Sequence, residues 1–359
     1  MILTRYVFAE TLRSFLLAFG GLSSVIFIAA TLAQVHQVQG VSLTLLLQLF
    51  PSLIPEVLLL TIPASLLLSV TFTIGRLAGD NELNAMRANG LHLGRVLAPG
   101  LLLGALLSLA CAWLHQVGVP NAVYARRNLL GRALEGLTGS SGSALRQVRL
   151  GKQFIRFKDF RNGAMIEADI FLVDPKGGKE SIRAREARLV LDEENARLIL
   201  DLKDAMVTYH TPGRGRDVQS DLMFDQLTRD IDVSDRFTKG RRLPDMLPAD
   251  LWSAMHGRVK SRYGDNQLWT EFHRRIAWAG APLFFAVAAG PLSMLLRRGG
   301  RVAALAAVVL PVFGAYFPLA IGGQRLAEQG LVPAFVGAWA ADAVLAAAGA
   351  LTFRRFVRL

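Results

Sequence analysis

Residues 96–119 read VLAPGLLLGALLSLACAWLHQVGV and pass directly into PNAVYARRNLLGRALEGL at 120–137, so a long apolar run turns charged within a few residues. As an α-helix the apolar part is long enough for the roughly 30 Å hydrocarbon core of a bilayer. Working outward, Ser14–Ala33 and Leu53–Ile74 precede it with the same character, and Ile276–Leu296, Val302–Gly323 and Leu331–Phe353 follow later. Pro63, Pro99, Pro282, Pro311 and Pro318 fall inside these runs, which a membrane helix tolerates where neighbours satisfy the freed backbone groups. Between Asn121 and Arg275 the chain carries 28 Lys and Arg and 22 Asp and Glu, against 12 and 6 in all the rest. The pattern predicts six membrane helices, three on each side of one inserted extramembrane block.

Inside the block, Gln153–Phe157, Met165–Val173, Ala187–Leu191, Arg197–Leu202, Ala205–Tyr209 and Leu222–Asp225 are short runs with partial alternation. Turn signals separate them: Arg161-Asn162-Gly163, Asp174-Pro175-Lys176-Gly177-Gly178, Asp192-Glu193-Glu194-Asn195 and Thr211-Pro212-Gly213. Strands at this spacing predict an all-β sandwich or jelly roll. Flanking helices are expected over Val123–Leu137, continuing the third membrane helix, and over Pro248–Lys260.

Composition narrows the function. Hydrophobic residues make up 52% of 359 and the mean hydropathy is +0.36, high for a purely soluble protein. The net charge of +12 includes only +6 (28 − 22) from the block, whose signs alternate without a basic, aromatic-interleaved stripe, so nucleic-acid binding is not supported. Charge in the short loops is one-sided: Arg5, Arg13, Arg76, Arg87, Arg95, Arg297, Arg298, Arg301, Arg354, Arg355 and Arg358 fall on one face, and the other short loops contribute Arg325. The positive-inside rule then predicts cytoplasmic termini and a block outside the cytoplasm. The single Cys111 excludes an intramolecular disulfide and a cysteine metal site. The first apolar run is too long for a signal peptide and reads as a retained helix.

Catalytic motifs are missing. The sequence has no G-x-x-x-x-G-K-[ST] phosphate loop, no H-E-x-x-H and no G-x-S-x-G, and its six histidines form no i,i+4 pair. No enzyme activity, metal or cofactor is predicted. The most informative loop is Gly75-Arg76-Leu77-Ala78-Gly79-Asp80-Asn81-Glu82-Leu83-Asn84-Ala85-Met86-Arg87-Ala88-Asn89-Gly90. Asp80 or Asn81 can cap a short helix, Glu82 suits its first turn and Gly90 its stop. Such a helix on the cytoplasmic face would offer Leu83, Met86 and Arg87 to a soluble partner, or serve as a plain connector.

Here the chain resembles a known family. Asn-Glu-Leu-Asn-Ala-Met-Arg-Ala-Asn-Gly at 81–90 looks like the coupling-helix motif of the lipopolysaccharide export permeases (LptF/LptG, also YjgP/YjgQ). Arg5-Tyr6, Ile54-Pro55-Glu56, Glu271-Phe272-His273-Arg274-Arg275, Gly290-Pro291-Leu292-Ser293 and Arg297 through Arg301 agree in order over nearly the whole chain, nearer LptF than LptG. The resemblance implies an ABC-transporter permease subunit that extracts lipopolysaccharide from the bacterial inner membrane. It would pair with an LptG-like paralogue, dock on a cytoplasmic LptB-like ATPase dimer and hand lipid to an LptC/LptA-like periplasmic bridge. Residues 1–119 would hold helices 1–3 with the coupling helix at 79–90, 120–275 a periplasmic jelly-roll-like domain with flanking helices, and 276–359 helices 4–6. By the same resemblance, Glu82 docks into the ATPase, where it could pair with an arginine.

Several charged residues are candidates for holding lipid phosphate. Arg126, Arg127 and Arg132 follow helix 3 and Arg274 and Arg275 precede helix 4, and their guanidinium forks suit phosphate oxygens; His273 lies beside them. The alternative is snorkelling to the membrane surface. Ala33-Gln34-Val35-His36-Gln37-Val38-Gln39 departs from the family by carrying no permanent cation at the outer end of helix 1, which leaves that contact to the partner or implies a lipid with less phosphate. Asp342, near the middle of helix 6 among small residues, is an intramembrane polar site or a hydrogen-bonded member of the bundle. Two other classes stay open: a membrane-anchored periplasmic scaffold or chaperone, and a secondary lipid flippase that needs no ATPase and uses Asp342 as a proton relay.

Overall fold

A computed structural model describes residues 2–37, 43–139, 147–150, 153–161, 164–173, 179–192, 197–211, 218–232, 241–259, 261, 263–295 and 300–357. The expected turns at 162–163, 174–178, 193–195 and 212–213, together with Val38, Gln39, Lys260, Arg297, Arg298 and Arg358, lie outside these residues. The chain divides into two compact units, one of Met1–Ile28, Ile54–Ala122 and Arg242–Leu359, the other of Ala29–Leu53 and Val123–Arg241.

The helices are α1 (Ile2–Gln37), α2 (Leu43–Gly79), α3 (Glu82–Ala88), α4 (Leu93–Trp113), a π-helical turn (Leu114–Gly118) leading into α5 (Val119–Gly139), α6 (Pro248–Met255), α7 (Asp265–Leu295), α8 (Gly300–Glu328) and α9 (Ala334–Val357). Among the described residues five spans are long and apolar enough to cross a membrane: Leu3–Val35, Leu47–Gly79, Leu93–Leu129, Asp265–Met294 and Ala334–Arg355. α8 is helical over 29 residues. The fourth span begins at Asp265, earlier than the apolar run suggested, because the polar turn Asp265–Arg275 continues the same helix.

In the helical unit, Val7 and Phe15 of α1 pack with Leu66, Leu67, Val70 and Ile74 of α2, Leu97 and Leu103 of α4, Phe285 of α7, Tyr316 of α8 and Leu345 of α9. Small residues allow the close crossings. A Cβ on Gly104 would stand 3.2 Å from the Leu283 Cα, and one on Gly349 would meet the Val287 carbonyl oxygen at 2.5 Å. Gly323 and Gly337 place α8 and α9 backbone to backbone. Near the Pro282 interruption, the Leu283 N–H donates to Ser108 Oγ of α4 at 3.2 Å.

The second unit carries one antiparallel sheet: β1 (Gln147–Leu150), β2 (Gln153–Arg156), β3 (Asp159–Arg161), β4 (Ala164–Val173), β5 (Lys179–Asp192), β6 (Arg197–Thr211) and β7 (Val218–Asp232), in the order β1-β2-β4-β5-β6-β7 with β3 also on β4. Apart from β2 and β3, which both pair with β4 and not with each other, strands next to each other in sequence pair, so the described strands follow the order of a meander and not the crossed-over order of the expected jelly roll. Rows of small and apolar residues cross it, Ala168–Ala184–Ala205 and Ile170–Ile182–Val207 on one side of a transverse line and Met165–Ala187–Leu202 on the other. Along each of β4, β5 and β6 the buried positions shift phase at this line, at Glu167, Arg185 and Asp204. Glu167 (φ 51) and Asp204 (φ 49) have left-handed backbone there. Arg197–Leu202 and Ala205–Tyr209, expected as two strands, are therefore one strand with a crease.

Candidate functional site

α3 begins two residues after α2 and is seven residues long. Asn81 stands at the N-cap position in the left-handed conformation (φ 58) without a side-chain capping bond; its Oδ1 accepts from Asn84 Nδ2 at 3.0 Å. Gly90, at φ 74, stops the helix, and the Leu91 N–H reaches back to the Met86 carbonyl at 3.1 Å. Capping by Asn81's own side chain is thus replaced by backbone geometry, and the glycine stop is as expected.

Two of the residues expected to meet a partner point the other way. Leu83 (1% exposed) and Met86 (7%) are buried in the helical core. On a short helix the apolar residues three apart share one face, and here that face anchors α3 to its own subunit. Asn84, Ala85, Arg87 and Ala88 are exposed. Glu82 is engaged from within: Arg76 Nη1 donates to its Oε1 at 3.2 Å and the Tyr6 hydroxyl to its Oε2 at 3.4 Å.

Arg274 and Arg275, in the first part of α7, are likewise committed. Arg275 is 2% exposed. Its Nε donates to Glu271 Oε1 at 2.8 Å, Nη1 to the Met246 carbonyl at 2.7 Å and Nη2 to the Leu243 carbonyl at 2.9 Å. It is buried, not snorkelling to a surface, and fastens the 243–246 segment to α7, because a guanidinium taken out of water needs its donors filled. Glu271 also receives Arg274, whose Nη2 lies 2.6 Å from Oε2. Arg274 is the more open of the two, its side chain 30% exposed. His273 stacks on Trp269 with centroids 6.2 Å apart. The spacing Glu271, Arg274, Arg275 is the i,i+3/i,i+4 signal that could have revealed this staple in the sequence.

Arg126 and Arg127 belong to the unit that holds the sheet, and Arg127 lies over the Tyr124 ring at 5.5 Å, with Arg241 over the same ring at 4.8 Å. Asp342 is 1% exposed, and its polar neighbour is the Tyr316 hydroxyl of α8. The Phe285 ring of α7 meets Tyr316 edge-on at 4.8 Å. Sequence reading had found Asp342 but not Tyr316. The π-helical turn also escaped prediction; it buries His115 against the Trp278 ring at 6.4 Å. Among the described residues no group of three or more His, Cys, Asp or Glu is placed to hold a metal ion.

The geometry is that of a multi-pass membrane protein with a short, anchored helix between α2 and α4 and an inserted antiparallel sheet. Comparison with curated protein sequences yields no match. The family model for the lipopolysaccharide export system permease LptF/LptG matches residues 5–355. The stapled Glu271–Arg275 segment, the α3 loop and both sets of helices all fall inside that match, and the chain belongs to the LptF/LptG family of lipopolysaccharide export permeases, inner-membrane transport components rather than enzymes.

Proposed function

We propose that the chain is a membrane subunit of an ATP-driven exporter that extracts lipopolysaccharide from the inner membrane and passes it to a periplasmic bridge. A separate cytoplasmic LptB-like dimer hydrolyses the ATP. The observation that carries this reading is α3: Leu83 and Met86 fix it to the helical core while Asn84, Ala85, Arg87 and Ala88 stay exposed. A helix held on one face and exposed to solvent on the other can receive a push from a docked protein and pass it inward. Arg87 is the charged member of the docking face.

The rest of the assembly follows the family and the charge pattern. Both termini and α3 face the cytoplasm, α8 is a further span, the fifth in chain order, and the β block is the periplasmic element that meets the LptC/LptA-like bridge. An LptG-like paralogue completes the transporter; the exposed apolar side chains Leu16, Leu17, Val25 and Ile28 of α1 suit lipid or the partner's helices. In the helical unit Arg274 and His273, and separately in the sheet-bearing unit Arg126 and Arg127, are proposed contacts for anionic groups of the lipid; the buried Arg275 is left out of that proposal.

The test is affinity purification of the tagged full chain in mild detergent, with mass spectrometry of bound proteins and lipids. Wild type should bring down an ATPase and lipopolysaccharide. Arg87→Glu should lower ATPase recovery by about tenfold, the scale of one good interface contact. Undiminished recovery would remove α3 as the docking element.

A further inference from the structure

Arg76, at the end of α2, reaches three segments at once. Its Nη2 donates to the Tyr6 hydroxyl of α1 at 2.9 Å and lies 3.5 Å from Glu10 Oε1 of the same helix. Its Nη1 donates to Glu82 Oε1 of α3 at 3.2 Å and lies 3.9 Å from Asp80 Oδ2 in the connector. The Tyr6–Glu82 bond at 3.4 Å closes the ring. Arg76 and Glu82 are only 17% and 33% exposed at their side chains, so these contacts are partly shielded from water.

What the ring joins is informative. Val7, Thr11 and Phe15, within about two turns of Tyr6, are buried. Beyond them α1 is largely bare: 6% of its most apolar window is buried, against 72% for α2. Within this chain α1 is thus held mainly at the end where the ring sits, and few of its later residues are buried. A guanidinium, with five donors in a planar fork, can hold a phenol and carboxylates from different helices together, whereas an ammonium is a single point of charge.

We propose that Arg76 is the positioning residue that links α3 to α1, so that displacement of the docking helix is delivered to α1, the least buried of the five spans among the described residues. In this arrangement Glu82 is the α3 end of the link. The proposal rests on the coupling role given to α3 above and adds the route and the responding helix.

Two measurements on the full chain test it. Thermal unfolding in detergent of Tyr6→Phe, Glu82→Gln and the double variant should show non-additive shifts, and this coupling should shrink in an Arg76→Met background to what the direct Tyr6–Glu82 bond supplies; additive shifts, or a coupling unchanged by Arg76→Met, would overturn the link. In the assembled transporter in lipid nanodiscs, lipopolysaccharide released per ATP hydrolysed should fall by about tenfold in Arg76→Met, within the ordinary range of coupling between sites, and Arg76→Lys should restore only part of it. Proportional loss of assembly, hydrolysis and release, with their ratio unchanged, would mean Arg76 is merely structural. If wild type recovers no ATPase although the unfolding coupling holds, the docking reading fails and takes the transmission route with it. If the ATPase binds and the unfolding coupling is missing, only the Arg76 link fails.

Discussion

Two arginines in the helical unit show how differently one side chain can be employed. Arg275 is sealed from water and spends its donors on Glu271 and on the backbone carbonyls of Leu243 and Met246. Arg76 retains some exposure and holds side chains: a phenol, Glu82 and, more loosely, Glu10 and Asp80. Carbonyls of a fixed segment offer no alternative arrangement, so the first cluster is a rigid staple. Carboxylates on separate helices can change partners as the helices shift, and a partly wet cluster loses less when they do. The contrast matches a joint that must stay closed and one that must transmit movement.

The largest expected effect is at the staple. Arg275→Met leaves Glu271 buried with Arg274 alone and strips the Leu243, Pro244 and Met246 carbonyls of this donor, and should cost about 3–5 kcal/mol, read as a lowered Tm of the detergent-solubilised chain. A Tm close to wild type would erase the distinction between the clusters. Glu271→Gln keeps the shape but leaves a buried guanidinium without its counter-charge; about 2 kcal/mol is expected, with Arg275 still held by the carbonyls. Smallest is Tyr6→Phe, about 0.5 kcal/mol for a hydrogen-bonded hydroxyl at an exposed residue. Raising salt from about 0.05 M to about 0.5 M should shrink the Tyr6→Phe effect and leave that of Arg275→Met nearly unchanged, since screening acts on exposed charge more than on buried charge. Equal salt dependence would contradict the assignment of one wet and one dry cluster.

Parts of this were legible beforehand for a definite reason. The α3 boundaries could be read because Asn81 and Gly90 act through their own backbone preferences. The strand pattern in 164–173 was visible, but alternation misled at Leu202 to Ala205: two residues between buried positions looked like a gap between strands, whereas Asp204 in left-handed geometry carries one strand through the phase change. The first half of β5 is hard to read in the sequence because charged residues at 183, 185 and 186 are interleaved with the buried Ile182 and Ala184. Leu83 and Met86 were assigned to the docking face because their apolar character is visible in sequence, while the side to which they turn is not.

By itself the sequence settled what sums over neighbouring residues: which stretches are apolar for a bilayer's width, where the charged block is inserted, and an order of short motifs spread over almost the whole chain that marks the family. The tertiary structure alone decided how individual charges are used. Tyr6 meets Arg76 across 70 positions, and Arg275 meets Leu243 across 32. Hydropathy and propensity are local and additive, so they survive in a one-dimensional reading; the partner of a guanidinium depends on which distant segments the fold brings within hydrogen-bonding reach.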